Sequence, residues 1–366
     1  MGSGTTGGEF DGPLPVLDEG YVKAVQESLN AAVAEFSAED SRNLFVYVVG
    51  EANVGKSSII NALLGADMAE VKAIAGWTKE AGLYEFAEHL YVVDTPGMNE
   101  VMTLPLGNDV PTQVAQQGDI ILYVVNVTGN RSVAEREEYQ KIRRLGRPMF
   151  LVANKMDDIL SPGERAEVLD DLSRRFGITP ADISAVSART GEGIEALSIR
   201  IYQQLEAEGF GMLWAKNARH RDALIRNLMV KSAIAAAAVG ASPLPFSDMI
   251  PLTAIQCRMW IKIAKIYGYD ITQEGAKGII SSIATGNIGR GLFRQLIKVV
   301  GDATGIGAVA SSAIAAGLAG SMTYGLGVAA QEYYKSSKSK SLDELTGTYR
   351  AAFKGFSLAD ARASQG

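Results

Sequence analysis

From residue 43 to about residue 207 the apolar positions come in short runs separated by amphipathic stretches. Leu44-Phe45-Val46-Tyr47-Val48-Val49 is an unbroken apolar run, the pattern of a strand buried on both faces. Ser58-Ile59-Ile60-Asn61-Ala62-Leu63-Leu64 then opens a helix. Leu83 to Phe86 and Leu90 to Val93 predict two paired strands, and Asp119 to Val127 predicts a buried one. Pro148 to Ala153 and Asp182 to Val186 predict two more, followed by a helix from about Ile194 to Glu206. Helix starts fall between the strands: Ser132-Val133-Ala134-Glu135 reads as a capping box, and Ser161-Pro162-Gly163-Glu164 as a cap with proline at the first helical position. Strands alternating with helices predict an α/β domain over residues 42–207, a mostly parallel sheet with helices on both faces.

The chain on either side is different. Residues 16–41 carry Val22, Val25, Leu29, Val33 and Phe36 at helical spacing, an amphipathic helix expected to pack with helices of the C-terminal half. Residues 208–366 are rich in Gly, Ala and Ser, show no convincing strand, and predict an all-α domain. Leu252, Ile255, Met259, Ile263 and Ile266 form one helical face, with Arg258, Lys262 and Lys265 grouped elsewhere on the same helix. Ile288, Leu292, Leu296 and Val299 repeat the theme against Arg290, Arg294 and Lys298. Such basic amphipathic helices are either solvated outer faces of a bundle, the commoner case, or membrane- and partner-binding surfaces.

Residues 303–331 contain no charge, long enough to cross a bilayer but rich in Gly and Ala. Ala313, Gly317, Ser321, Gly325 and Ala329 make a small-residue stripe that permits close helix packing in a membrane or a dense soluble bundle. Ser232 to Ser247 is a second apolar piece, too short to span alone and broken by Pro243 and Pro245. Lys335, Lys338 and Lys340 follow the long uncharged stretch as a juxtamembrane basic segment would. Ser341-Leu342-Asp343-Glu344 caps a final helix.

Charge and cysteine content narrow the classes. A net charge of −6 gives no global argument for nucleic-acid binding, so that partner is disfavoured. Cys257 is the sole cysteine, which forbids an intrachain disulfide and suits the reducing cytoplasm. With only His89 and His220, a zinc site of His and Cys is not expected. Residues 1–15 lack the apolar core of a signal peptide; they match a loose lipidation pattern at Gly2 but read as a disordered leader.

The chemistry begins between the first strand and helix. Gly50-Glu51-Ala52-Asn53-Val54-Gly55-Lys56-Ser57 is G-x-x-x-x-G-K-S in strand–loop–helix context, where backbone N–H groups and a helix N-terminus converge on phosphates. Lys56 reaches the β- and γ-phosphates and the Ser57 hydroxyl ligates Mg2+ in such a loop.

Together with Asp94-Thr95-Pro96-Gly97, Asn154-Lys155-Met156-Asp157 and Ser187-Ala188-Arg189, this loop resembles the ordered motifs of translation-factor-class GTPases, most similar to the Era/TrmE-like subfamily, over about residues 42–207. The resemblance implies that Gly50, Asn53, Val54, Gly55, Lys56, Ser57 and Ser58 hold the phosphates. It further implies that Thr78 senses the γ-phosphate and ligates Mg2+, that Asp94 holds Mg2+ through water, and that the Gly97 N–H contacts the γ-phosphate. Asn154, Lys155 and Asp157 would read the base, with Ser187, Ala188 and Arg189 closing over it. Guanine offers two adjacent donors, N1–H and N2–H2, to the two oxygens of Asp157, which adenine cannot match.

Met98 stands where Ras-like enzymes carry a water-orienting glutamine, and a thioether cannot orient water. Asn53 stands where K+-activated members of the subfamily carry a cation-coordinating asparagine, so Lys56, Thr78, Gly97 and Asn53 are the candidate catalytic residues. An Asn53 that merely makes a turn is the equally weighted alternative.

The C-terminal half, around Pro243-Leu244-Pro245-Phe246-Ser247-Asp248 and Ile266-Tyr267-Gly268, resembles the YcjF-type domain of unknown function found fused to bacterial Era-like GTPases. The leading expectation is a Mg2+-dependent GTPase, cytoplasmic or at the cytoplasmic membrane, whose nucleotide state controls a helical domain that binds an anionic membrane surface or a partner. Two alternatives stand beside it. One is a dynamin-like or immunity-related-GTPase-like enzyme that self-assembles on membranes as a homodimer across the nucleotide face. The other is an RNA- or ribosome-assembly GTPase, for which Gly286-Asn287-Ile288-Gly289 is a faint KH-like signal.

Overall fold

A computed structural model describes residues 27, 30–38, 42–65, 72–73, 82–94, 119–129, 132–241, 249–269 and 312–363. Residues 30–38 are helical (α1). Then come β1 (Leu44–Val49), α2 (Lys56–Leu64), β2 (Lys72–Ala73), β3 (Gly82–Ala87), β4 (Leu90–Asp94), β5 (Ile120–Asn126), α3 (Val133–Arg143), β6 (Met149–Asn154), α4 (Pro162–Phe176), β7 (Ile183–Ala185) and α5 (Ile194–Ala207). The remainder is helical: α6 (Gly211–Asn217), α7 (Arg221–Gly240), α8 (Met249–Ile266), α9 (Ser312–Lys335), α10 (Leu342–Gly355) and α11 (Leu358–Ala363).

The strands form one sheet in the order β2-β3-β4-β1-β5-β6-β7. β4, β1, β5, β6 and β7 run parallel, and β2 and β3 are antiparallel additions at one edge. Period-two alternation sorts the strand side chains onto two cores. Val46, Val48, Leu122 and Val124 face one core with Ile59, Leu63 and Ile201, whereas Tyr47, Val49, Tyr123 and Val125 face the other with Tyr139, Leu172 and Phe176. Burial on both faces explains the unbroken apolar runs. All parallel strands deliver their C-terminal ends, and the loops that follow, to one edge.

The first core does not stop at the edge of the sheet domain. It continues through α5 into Met212, Trp214, Leu224, Trp260, Ile263 and Tyr334 of the helical half. Phe36 of α1 is fully buried in it, under the guanidinium of Arg258 at 5.0 Å and the ammonium of Lys262 at 5.3 Å. Arg258 also forms a two-pronged pair with Glu35, at 2.6 and 2.5 Å.

The basic face of α8 therefore differs from the expected open surface. Lys262 and Lys265 are 4% and 3% exposed. Lys262 lays its aliphatic stem in the core and pairs its ammonium with Glu206 at the end of α5. A long stem and a half-buried carboxylate partner let a lysine face inward, which a hydrophobicity pattern alone does not register.

Within the helical half, small residues let backbones close up. A Cβ on Gly240 would lie 2.7 Å from that of Ala319, and one on Gly320 would lie 3.2 Å from the Ala233 carbonyl. One on Gly325 would lie 3.0 Å from the Tyr349 ring. Of the expected stripe on α9, Gly325 and Ala329 pack against α10 and Gly317 meets no neighbour among the described residues, while the close approach to α7 is made by Ala319 and Gly320 beside the stripe. Ser232 and the alanines after it form the second half of α7, which starts eleven residues earlier than the apolar pattern suggested. By length and composition α7 is long and apolar enough to cross a membrane, with 44% of its apolar window buried in the protein.

Three local expectations change. The Ser161 side chain makes no cap hydrogen bond, although Pro162 does occupy the first position of α4. Ser132 does accept from the Glu135 N–H, at 3.1 Å, but the Glu135 carboxylate turns inward to Arg175 at 2.8 Å instead of closing the box. The last strand is only Ile183–Ala185, because Pro180–Asp182 forms a 3-10 turn before it. Ser341 and Glu344 form the complete reciprocal box. Thr78, Gly97, Met98, residues 1–26, the Pro243 region, the second basic segment around Ile288 and the KH-like tetrapeptide lie outside the described residues.

Candidate nucleotide site

The phosphate loop sits where β1 hands over to α2, and its shape is fixed by glycines that nothing else could replace. Gly50 has φ +146°, and a Cβ there would lie 2.2 Å from the Val124 carbonyl oxygen on β5. Gly55 has φ +96°, and a Cβ would lie 2.4 Å from Asn154 Nδ2. Asn53 is left-handed at φ 63°, with its side chain exposed at the rim of the loop. Gly55 caps α2 without a side chain, so the first-turn N–H groups remain directed out of the helix toward an anion. Ser57 and Ser58 are exposed in that turn. Lys56 arches back over the loop, donating from Nζ to the carbonyls of Gly50 and Glu51 at 3.1 and 3.2 Å. That pose holds an ammonium over the cradle.

Asn154 joins this loop to the base side. Its Nδ2 donates to the Val54 carbonyl at 2.9 Å, while its Oδ1 accepts the Ala188 N–H at 3.1 Å. The side chain is almost wholly buried, so one amide bridges residues 134 positions apart in a protected setting. Lys155 takes φ 70° and turns the chain into a 3-10 turn, Met156–Asp158, which presents Asp157.

Asp157 is engaged before any base arrives. A hydrogen bond with Ser187, with the charges of Arg189 and Arg165 adding to it, holds its carboxyl below the usual range. Arg189 Nη1 lies 2.9 Å from Asp157 Oδ2 and 3.6 Å from Asp158 Oδ1. The carboxylate is thus ionised, with Ser187 and Arg189 already engaged on it. Because Arg189 is largely exposed, it can leave Asp157 at little cost.

Asp94 ends β4, level with Val48 in the parallel register, which places its backbone beside the strand end that feeds the phosphate loop. The side chain of Asp94, and Thr78 and Gly97 entirely, fall outside what is described. The sequence motifs missed one member of the arrangement. Arg165 on α4 donates to the Met156 and Ile159 carbonyls at 3.0 and 2.8 Å and pairs with Glu192 at 2.5 Å. It fastens the Asp157 turn to the Ser187–Gly193 loop. No sequence signal marks it, since an arginine in a helical first turn looks like any solvated charge.

Comparison with known proteins finds matches for both halves of the chain. Residues 45–155 match the family model described as 50S ribosome-binding GTPase, and residues 208–355 match a domain of unknown function, DUF697. The tRNA modification GTPase MnmE of Acaryochloris marina is 27% identical over 292 residues, covering 76% of this chain and 60% of that protein. MnmE of Heliobacterium modesticaldum is 30% identical over 254 residues, covering 65% of this chain and 51% of that protein. The chain therefore spans about three fifths or less of the length of these relatives. A crystal structure of an Aquifex aeolicus Era variant bound to GDP.AlF4- is 26% identical, with a TM-score of 0.34 over 44% of this chain and 56% of that one.

Proposed function

Since the chain is a P-loop GTPase joined to a DUF697 domain, we propose that it is a Mg2+-dependent switch whose nucleotide state is passed to the helical half. The Asn154 amide is the observation that carries this reading. It makes the phosphate loop and the base-side loops one pocket, so recognition of guanine and grip on the phosphates act together.

Within it, the N–H groups of the loop and first turn of α2 take the phosphate oxygens, and Lys56 supplies positive charge. Asp157 reads N1–H and N2–H2, with Ala188 and Arg189 over the base. The donor set suits a hard cation: the Ser57 hydroxyl stands exposed in the first turn of α2, and Asp94 ends the neighbouring strand. Ser57 and Asp94 would hold a Mg2+ there, which would supply positive charge against the phosphates. Thr78 and Gly97 are the residues that would sense the γ-phosphate.

Met98 leaves the attacking water without a polar side chain at that position. The left-handed, exposed Asn53 supports a K+ beside the phosphates as the charge that compensates. Phosphate release tests each part. The expected result is turnover of GTP well above ATP, dependent on Mg2+ and faster in KCl than in NaCl. Equal turnover of ATP removes the guanine reading; equal turnover in the two salts removes the K+ site alone.

The output of the switch is a partner or an anionic membrane surface bound by the helical half. The apolar character of α7 favours the membrane as a second reading, with self-assembly across the nucleotide face as its companion. Co-sedimentation with anionic vesicles, compared between GDP and a non-hydrolysable GTP analogue, separates these. No pelleting in either state leaves the partner-binding bundle. A specific activity that rises with protein concentration supports assembly.

A further inference from the structure

We propose that the cavity where α7 begins binds a small phosphate-bearing anion, at a site separate from the GTP loop. The cavity holds about 500 Å3 and lies among the start of α7, the end of α8, the end of α9 and the start of α5. Four permanent cations line it: Arg219, Arg221, Arg226 and Lys335.

The charge balance shows why an anion belongs there. Two carboxylates line the same space, against the four cations. Asp222 accepts from Lys335 Nζ at 2.5 Å and from the Tyr267 hydroxyl at 2.8 Å. Glu195 lies 3.7 Å from His220. Arg219 and Arg226, both exposed, have no carboxylate partner among the described residues. Arg221 stacks on the Tyr267 ring at 5.1 Å, and Lys338 stands over the Tyr269 ring at 4.6 Å, so aromatic walls hold cations at the rim. α7, a helix of 20 residues, begins at this space with no side-chain cap, which adds the partial positive charge of a helix start. Several guanidiniums on different sides suit the multiple oxygens of a phosphate better than the two of a single carboxylate.

The site also touches the GTPase domain. The Arg219 N–H donates to the Leu63 carbonyl at 2.8 Å, at the far end of the phosphate-loop helix. Two sources share this chemistry: a soluble phosphorylated compound and the headgroup of an anionic lipid.

The test uses the full chain saturated with GDP and Mg2+, so that the phosphate loop is filled. Pyrophosphate is titrated by calorimetry, and phosphatidylglycerol vesicles are compared with phosphatidylcholine vesicles by co-sedimentation. Binding is expected in at least one arm, weakened about tenfold or more by Arg221→Gln with Arg226→Gln and partly restored by the two lysine variants. Pyrophosphate binding identifies a soluble source, and phosphatidylglycerol binding alone identifies a lipid. If the double variant lowers the melting temperature, Arg219→Gln, an exposed change, is read in its place. No binding in either arm, or binding that the variants leave unchanged, overturns the proposal. Failure to bind GDP would count against the nucleotide site only, because each readout compares variant with parent.

Discussion

Replacing Asn154 by alanine should damage stability and nucleotide affinity together. The substitution removes the 2.9 Å bond to the Val54 carbonyl and the 3.1 Å bond from the Ala188 N–H. Each buried group left without a partner costs about 1–3 kcal/mol. Val54 is buried and Ala188 only half-buried, so water can reach the second group but not easily the first. The expected total is therefore in the lower half of the range, about 2–3 kcal/mol, a sizeable part of a domain's usual 5–15. If the same tie holds the loops in the bound state, GDP should bind about 30- to 150-fold more weakly. Asn154→Asp keeps the shape and the acceptor for Ala188 but sets a carboxylate oxygen against the Val54 carbonyl, so it should cost at least as much. Urea denaturation and titration with a fluorescent GDP analogue measure the two effects. If both variants stay within about 0.5 kcal/mol of the parent in both assays, the bridging role of Asn154 is wrong.

Gly55→Ala should lower GDP affinity more than tenfold: it combines a left-handed φ with a Cβ 2.4 Å from the Asn154 amide, and the same titration reads it. Lys262→Ala should cost about 2–3 kcal/mol in urea denaturation, the low end for breaking a buried pair because Glu206 is a third exposed, and Lys262→Met with Glu206→Gln should recover most of it. The hydrogen bond from Arg258 lowers the Glu35 carboxyl from its usual 4.5. A depressed carboxyl contributes its stabilisation above 4.5 and loses it as pH falls through the folded value, so the deficit of Arg258→Gln should be present at pH 7 and vanish in acid. With both groups about half exposed, that deficit should not exceed about 1 kcal/mol; a deficit that grew in acid would contradict the assignment.

The sheet domain was legible because its signals are local. A strand buried on both faces must be apolar throughout, and Leu44 to Val49 is; a phosphate loop must place glycines where φ is positive, and Gly50 and Gly55 are there. The Asn154–Asp157 motif was visible by residue type, but the contacts it makes were not. That Asn154 spans two loops, that Arg189 rests on Asp157, and that Arg165 fastens the turn are facts of tertiary placement. The helical half was less legible for a related reason. Lys262 reads as part of a solvated stripe because periodicity reports polarity, whereas its burial depends on Glu206 and Phe36, which lie 56 and 226 positions earlier. The cationic cavity is similarly hidden, being assembled from the ends of four helices.

Those helix ends also bear on how the two halves communicate. α2 starts at Lys56 beside the Gly50–Gly55 loop and ends at Leu63 and Leu64, where the Arg219 N–H donates to the Leu63 carbonyl. α5 starts just after the Ser187–Gly193 loop and ends beside Glu206, where the Lys262 ammonium sits near the last turn. At about 1.5 Å per residue, the two helices carry the site about 13 and 21 Å toward the helical half. Both meet it through their C-terminal ends, where unsatisfied carbonyls concentrate partial negative charge, and both are met by donors. A packed helix moves as a unit, so a displacement of its phosphate- or base-facing end is shared by the end that touches α7 or α8. That continuity supports the switch reading more directly than the uncharged stretch of α9. It also gives a reason for Lys262 of α8 to face inward, since it stands at the end of a rod that begins just after the Ser187–Gly193 loop.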